Sequence, residues 1–236
     1  YQEVKSSFKE EHLKSPIIRG FYYPLAVFIS YICISIGISA NAINLIGVAM
    51  FLIAGGAIFF ASAPLHYIFA GILIIIGYTI DFCDGTIARY YKSKKNLKNK
   101  VTVIYGKWAD EMSGLIGVAF IFTAGMFRTF LETTEIWVLF FGVMAIAGFM
   151  MMNFAAILSE LIRMRFKIKN DADRMREKMS KGFFGLNPRI FSFGFEIQWS
   201  LIALGVMFNQ FYVLFVIFGI LANAMWIARY LIYWGK

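Results

Sequence analysis

Two aspartates one helical turn apart stand in the run Asp81-Phe-Cys-Asp84-Gly85-Thr-Ile-Ala88-Arg89. On an α-helix, positions i, i+3, i+4 and i+7 share a face, so Asp81, Asp84, Gly85 and Ala88 point the same way. Two carboxylates therefore share a face with two residues that have almost no side chain. Like charges this close repel, and a cation is the natural way to keep both ionised. Gly85 and Ala88 leave room for a bulky ligand or a close neighbouring helix. Downstream, Gly106 and Asp110 lie four residues apart and repeat the idea, bringing a third acid toward the same place. An oxygen-only cluster suits Mg²⁺ or Mn²⁺, and no combination of His12, His66, Cys33 and Cys83 offers a zinc-type site. The competing reading pairs these acids with Arg89 or Lys107 at a membrane edge. Carboxylates in membrane helices are costly and usually functional, which favours the metal.

The elements that position these residues are membrane spans. The chain has 236 residues, 60% hydrophobic and only 16% charged, far more apolar than an ordinary soluble domain. Its apolar runs reach the roughly 20 residues that cross a hydrocarbon core about 30 Å thick. Reading them between polar breaks predicts spans near 41–63, 65–91, 105–126, 135–165, 188–207 and 210–233. Ser39 or Asn41 caps the first, Ala63-Pro64 turns into the second, and Asn187-Pro188 opens the fifth. Segment 18–38 is apolar enough to span but carries Arg19, Pro24, Ser30 and Ser35, and reads better as a helix lying in the interface. The expected organisation is a segment 1–17, a juxtamembrane helix 18–38 and a six-helix domain 39–236. No cleavable signal peptide is visible, because the chain opens with the polar stretch 1–16. Both cysteines sit in apolar helical context and read as small buried residues.

Basic residues set the orientation. With six spans, one side receives Lys5, Lys9, Lys14, Arg19, the run Lys92 to Lys100, the block Arg163 to Arg189, Arg229 and Lys236, while the other receives Arg128. The basic side is cytoplasmic by the positive-inside rule, so both termini and the acid cluster are expected there. The net charge of +9 expresses this asymmetry and attraction to anionic headgroups, and gives no reason to expect nucleic acid.

Together these residues resemble the CDP-alcohol phosphotransferase family, whose pattern is D-x-x-D-G-x-x-A-R followed by G-x-x-x-D-x-x-x-D. Asp81, Asp84, Gly85, Ala88 and Arg89 fill the first half, and Gly106 and Asp110 most of the second. Gly37-Ile-Ser-Ala-Asn41-Ala-Ile-Asn44 is similar to the family's G-[IV]-[ST]-P-N-x-[IV]-T, with Ala40 and Asn44 as departures. The interval from Arg89 to Gly106 is longer than usual, and the fourth aspartate's position holds Gly114. The resemblance implies an all-α integral membrane protein with six transmembrane helices preceded by an interfacial juxtamembrane helix. It also implies a metal-dependent enzyme that transfers a phosphoalcohol group from a CDP-linked alcohol to an acceptor hydroxyl, releasing CMP, in a homodimer among membrane lipids. Asp81, Asp84 and Asp110 would hold Mg²⁺ or Mn²⁺; Asn41, Gly85, Ala88, Arg89 and Gly106 would meet the substrate.

The family's expected base is the missing fourth aspartate. Glu111 is the first substitute, because positions 111 and 114 differ by only about 60° around a helix. An acceptor activated by the metal is a second possibility, and a protein that binds the nucleotide without turnover is a third. Arg163, Arg165 and Arg189 end the fourth span and begin the fifth, and Arg189, directly after Asn187-Pro188, is the best candidate for an acceptor phosphate. Glu160, Glu196, Ser159 and Gln198 add polar capacity nearby. A transporter is the main competing class, although the acids cluster at one face instead of the midplane and no inverted repeat is apparent.

Overall fold

A computed structural model describes residues 1–8, 13, 15–95, 100–166 and 195–234. Among these the chain is helical and without strands. A short helix α1 (Gln2–Ser6) precedes a single helical rod made of a wide turn, Ile18–Tyr22, continued by α2 (Tyr23–Ser35). There follow α3 (Ala40–Phe59), α4 (Pro64–Lys95), α5 (Lys100–Thr133), α6 (Ile136–Phe166), α7 (Phe195–Met207) and α8 (Phe211–Trp234). These match the expected spans within a few residues, except that α5 runs about a turn or more beyond 105–126 at each end and α7 is described only from Phe195. Residues 167–194, with Asn187-Pro188 and Arg189, lie outside the described residues.

Six described stretches are long and apolar enough to cross a membrane: Ile18–Ser35, Ala40–Phe59, Pro64–Lys94, Met112–Thr133, Ile136–Ala155 and Phe211–Ala228. The chain is an integral membrane protein. Length and composition thus admit 18–35 as a span as well, while α7 is described over 13 residues.

The chain reverses where its residues tolerate a left-handed backbone. Gly37 has φ +77° just after α2, and the amide of Ile38 donates to the Cys33 carbonyl at 2.8 Å, closing the helix end as a glycine C-cap does. Ser39 then caps α3, its hydroxyl accepting from the Ala42 amide at 3.3 Å. Pro64 occupies the first position of α4, where its missing N–H is harmless.

Packing is built from aromatic side chains set against glycines. Phe51 on α3 is 3% exposed, and its ring fills the space beside Gly77 of α4 and Gly117 of α5 while stacking on Trp199 of α7 at 4.6 Å between centroids. Phe120 fills the space beside Gly55, and Met207 with the Ala203 carbonyl fills that beside Gly71. Gly55, Gly71 and Gly77 thus serve close helix approach, as glycines do in membrane bundles. Gly56 does not, since a side chain there would enter open space. α6 and α8 are joined by Asn223, whose amide donates to the carbonyls of Met144 at 2.9 Å and Gly219 at 2.7 Å. Cys33 and Cys83 are buried and unbridged, as their context implied.

These contacts fix a register. In the antiparallel pair α3–α4, Gly47 meets Ile80 and Phe51 meets Gly77. In the parallel pair α3–α5, Phe51 meets Gly117 and Gly55 meets Phe120.

Gly117→Val sets a Cβ 2.8 Å from Cγ and 3.2 Å from Cβ of Phe51, atoms that ring rotation cannot move away. The substitution is expected to destabilise the bundle by about 1–3 kcal/mol, read as a lower unfolding midpoint in detergent. Gly56→Ala, with open space and a better helix former, is expected to leave the midpoint unchanged or raise it.

Candidate active site

The α3–α4 register carries Asn44, one turn inside α3, to the acid-bearing stretch of α4. Its side-chain amide donates to Oδ2 of Asp84 at 2.9 Å. Because a carboxylate only accepts, this orientation of the amide is dictated by chemistry. Asp81 and Asp84 are both half-buried, as are Gly85 and Arg89, while Ala88 is exposed. The four residues expected to share a face thus line one side of α4 near its end.

Arg89 reaches back toward the N-terminal segment. Its Nε donates to the Ser7 carbonyl at 2.6 Å and its Nη2 to Thr86 Oγ1 at 3.4 Å. The guanidinium lies over Gly85, where an added Cβ would stand 3.0 Å from Nη1. Gly85 therefore admits the arginine of its own helix. The partner segment is held down by Val4 and Phe8, both buried, with Phe8 edge-on to Tyr23 at 4.8 Å and tilted against Phe82 at 6.0 Å. Lys94 pairs with Glu3 at 3.2 Å, an exposed contact of little energetic weight. Nothing in the sequence pattern announced that residues 1–8 would dock here; the alternation of Val4 and Phe8 at helical spacing was the available signal.

Beneath the acids lies an aromatic layer. Tyr78 stacks on Trp199 at 5.6 Å, Trp199 on Phe51, and Tyr22 meets Tyr78 edge-on at 4.9 Å. The Ser200 hydroxyl donates to the Glu196 carbonyl at 2.7 Å, so the Tyr22 hydroxyl, 2.9 Å away, donates to Ser200. This layer closes the bundle below the carboxylates. The 18–35 rod reaches this layer through Tyr22, and the Cys83 thiol of α4 meets its Ala26 carbonyl at 3.4 Å.

Gly106, Asp110 and Glu111 belong to α5, and their side chains lie outside the described residues, as do those of Ser159, Glu160, Arg163 and Arg165. The α3–α5 register, continued toward the start of α5, brings the backbone of residue 110 level with Asn44. Among the described residues no three His, Cys, Asp or Glu gather as metal ligands. Asn41 is exposed, one turn before Asn44. Gln198 is buried and Glu196 half-buried on α7, the latter in its first turn. A side chain at position 114 would meet nothing within 4 Å. Asn44, marked in the sequence only as a departure, is the site residue that sequence reasoning passed over.

The family model described as CDP-alcohol phosphatidyltransferase matches residues 37–208, well over half of the chain. The chain belongs to this family. No curated protein matches it. The matched stretch of this CDP-alcohol phosphatidyltransferase family member begins at the glycine that ends α2 and runs through α7, so it contains Asn44, the acids and Arg89 but neither Tyr22 nor the Ser7 carbonyl that holds Arg89. The family's reaction is transfer of a phosphoalcohol group from a CDP-alcohol in phospholipid synthesis.

Truncating Phe8 to Ala removes the anchor that holds Ser7 against Arg89. Hydrogen–deuterium exchange of the amides in 2–8 is expected to accelerate, with the exchange of α3 and α4 unchanged.

Proposed function

We propose that this chain is a divalent-metal-dependent phosphotransferase of the CDP-alcohol type, with its site at the cytoplasmic membrane surface. The observation that carries the reading is the face formed by Asp81 and Asp84, with the Asp84 carboxylate held by Asn44, inside the stretch that matches the family. The donor set fits the metal: two aspartates on one helical face, with Asp110 level on α5, offer oxygen ligands alone. Asp81, Asp84 and Asp110 would hold Mg²⁺ or Mn²⁺. When bound, such an ion neutralises charge on a diphosphate and on the departing CMP phosphate.

The remaining steps belong to the chain's own groups. The exposed Ala88 leaves the acid face open to the donor's diphosphate. Asn41 and Gly106 border the nucleotide side, and Gly85 lets the Arg89 guanidinium lie close to phosphate oxygens while Ser7 keeps it aimed. Glu111 takes the proton of the acceptor hydroxyl onto its carboxylate. The acceptor oxygen then bonds to phosphorus, the bond from phosphorus to the CMP oxygen breaks, and CMP leaves. Arg189 receives an acceptor phosphate.

Orientation follows from charge. The far side carries Arg128, and that residue is paired with Glu132 at 2.7 Å, while Tyr67 donates to the same carboxylate at 3.1 Å. Positive charge that counts for orientation is thus concentrated at the acid-bearing end. Arg19, Pro24, Ser30 and Ser35 in the 18–35 rod support its lying in the interface, ahead of a six-helix domain 39–236. Apolar outward faces on several helices are compatible with a homodimer. A second reading, a family member that binds the nucleotide without turnover, draws on Gly114 and the open space beside it.

The deciding measurement is CMP release by purified protein with Mg²⁺ or Mn²⁺, screening CDP-diacylglycerol and soluble CDP-alcohols against hydroxyl acceptors. Release requiring both metal and one acceptor is expected, and Asp84→Asn is expected to abolish it in a protein that still folds; full activity in that variant rejects the assignment. Glu111→Gln is expected to lower the rate about 100-fold or more, as loss of a general base does. Gly114→Asp, entering open space, is expected to raise it. Nucleotide binding without release under any pairing would favour the second reading.

A further inference from the structure

We propose that Asn44 is a positioning residue for the metal-binding carboxylate of Asp84. The inference rests on the reading of Asp84 as a metal ligand and adds to it a residue from another helix. Asn44 stands where the family pattern has threonine, and its longer side chain spans the gap from α3 to α4, with Nδ2 2.9 Å from Oδ2. The two backbones are brought to this distance by Gly47, whose space faces Ile80, and by Gly77, whose space is filled by Phe51.

The chemistry of the donor decides what this bond does. A lysine or arginine at position 44 would neutralise Asp84 and compete with a cation. A neutral amide fixes the rotation of the carboxylate without itself neutralising the charge. The carboxylate therefore need not be ordered at the moment a cation binds. Partners of this kind, behind the direct ligands, typically change metal affinity 10- to 100-fold.

The test is Mn²⁺ titration of the purified full-length protein, followed by electron paramagnetic resonance of free ion, with the unfolding midpoint measured with and without Mn²⁺. Asn44→Ala is expected to weaken Mn²⁺ binding about 10-fold or more and to shrink the metal-induced rise in midpoint, while the metal-free midpoint stays near that of the unsubstituted protein. Asn44→Gln, which keeps the amide donor, is expected to recover part of the lost affinity. Asp84→Asn run in parallel separates the two levels of the reading. If Asp84→Asn loses Mn²⁺ but Asn44→Ala binds it as the unsubstituted protein does, the positioning role is overturned. A lower metal-free midpoint with unchanged Mn²⁺ affinity would likewise reduce Asn44 to an interhelical tie. If Asp84→Asn itself binds Mn²⁺ normally, the metal-ligand reading fails instead.

Discussion

A carboxylate at the edge of a membrane has to be solvated by something other than bulk water, and the architecture around Asp81 and Asp84 answers that demand. α4 projects far enough past its apolar stretch for both acids to sit half-buried near its end. α3 brings an amide to one of them. An aromatic layer of Tyr22, Tyr78, Trp199 and Phe51 seals the bundle immediately below. The polar surface is thereby confined to a thin zone with hydrocarbon packing under it.

Much of this was legible in the sequence because membrane proteins obey few rules strictly. Hydrophobic run length gave the spans, since no backbone polar group can be left unsatisfied in lipid. Helical periodicity put Asp81, Asp84, Gly85 and Ala88 on one side, and Pro64 and Ser39 marked helix starts by the same backbone requirements that operate in water. What escaped was contact between helices. The Asn44–Asp84 bond depends on where two antiparallel helices stop sliding, which is decided by Phe51, Gly47 and Gly77 acting together and by no motif. The docking of residues 1–8 escaped for a similar reason: Val4 and Phe8 are too few to announce a buried face, yet they suffice to bring the Ser7 carbonyl to Arg89.

The placement of Arg89 also changes how the motif reads. The sequence offered Arg89 either as an ion-pair partner of the acids or as a substrate contact. In the folded chain it turns back over Gly85, so the glycine and the arginine act as a pair, the first defined by the volume the second occupies.

Phe51 touches no acid, yet its ring lies in the notches of α4 and α5 at once and against Trp199 of α7. The relative heights of Asp84 and residue 110 are thereby calibrated from within the hydrocarbon layer, two turns below Asn44, by the thickness of one phenyl ring. A change in the volume of that one buried side chain would therefore be felt at the acid-bearing end of the bundle.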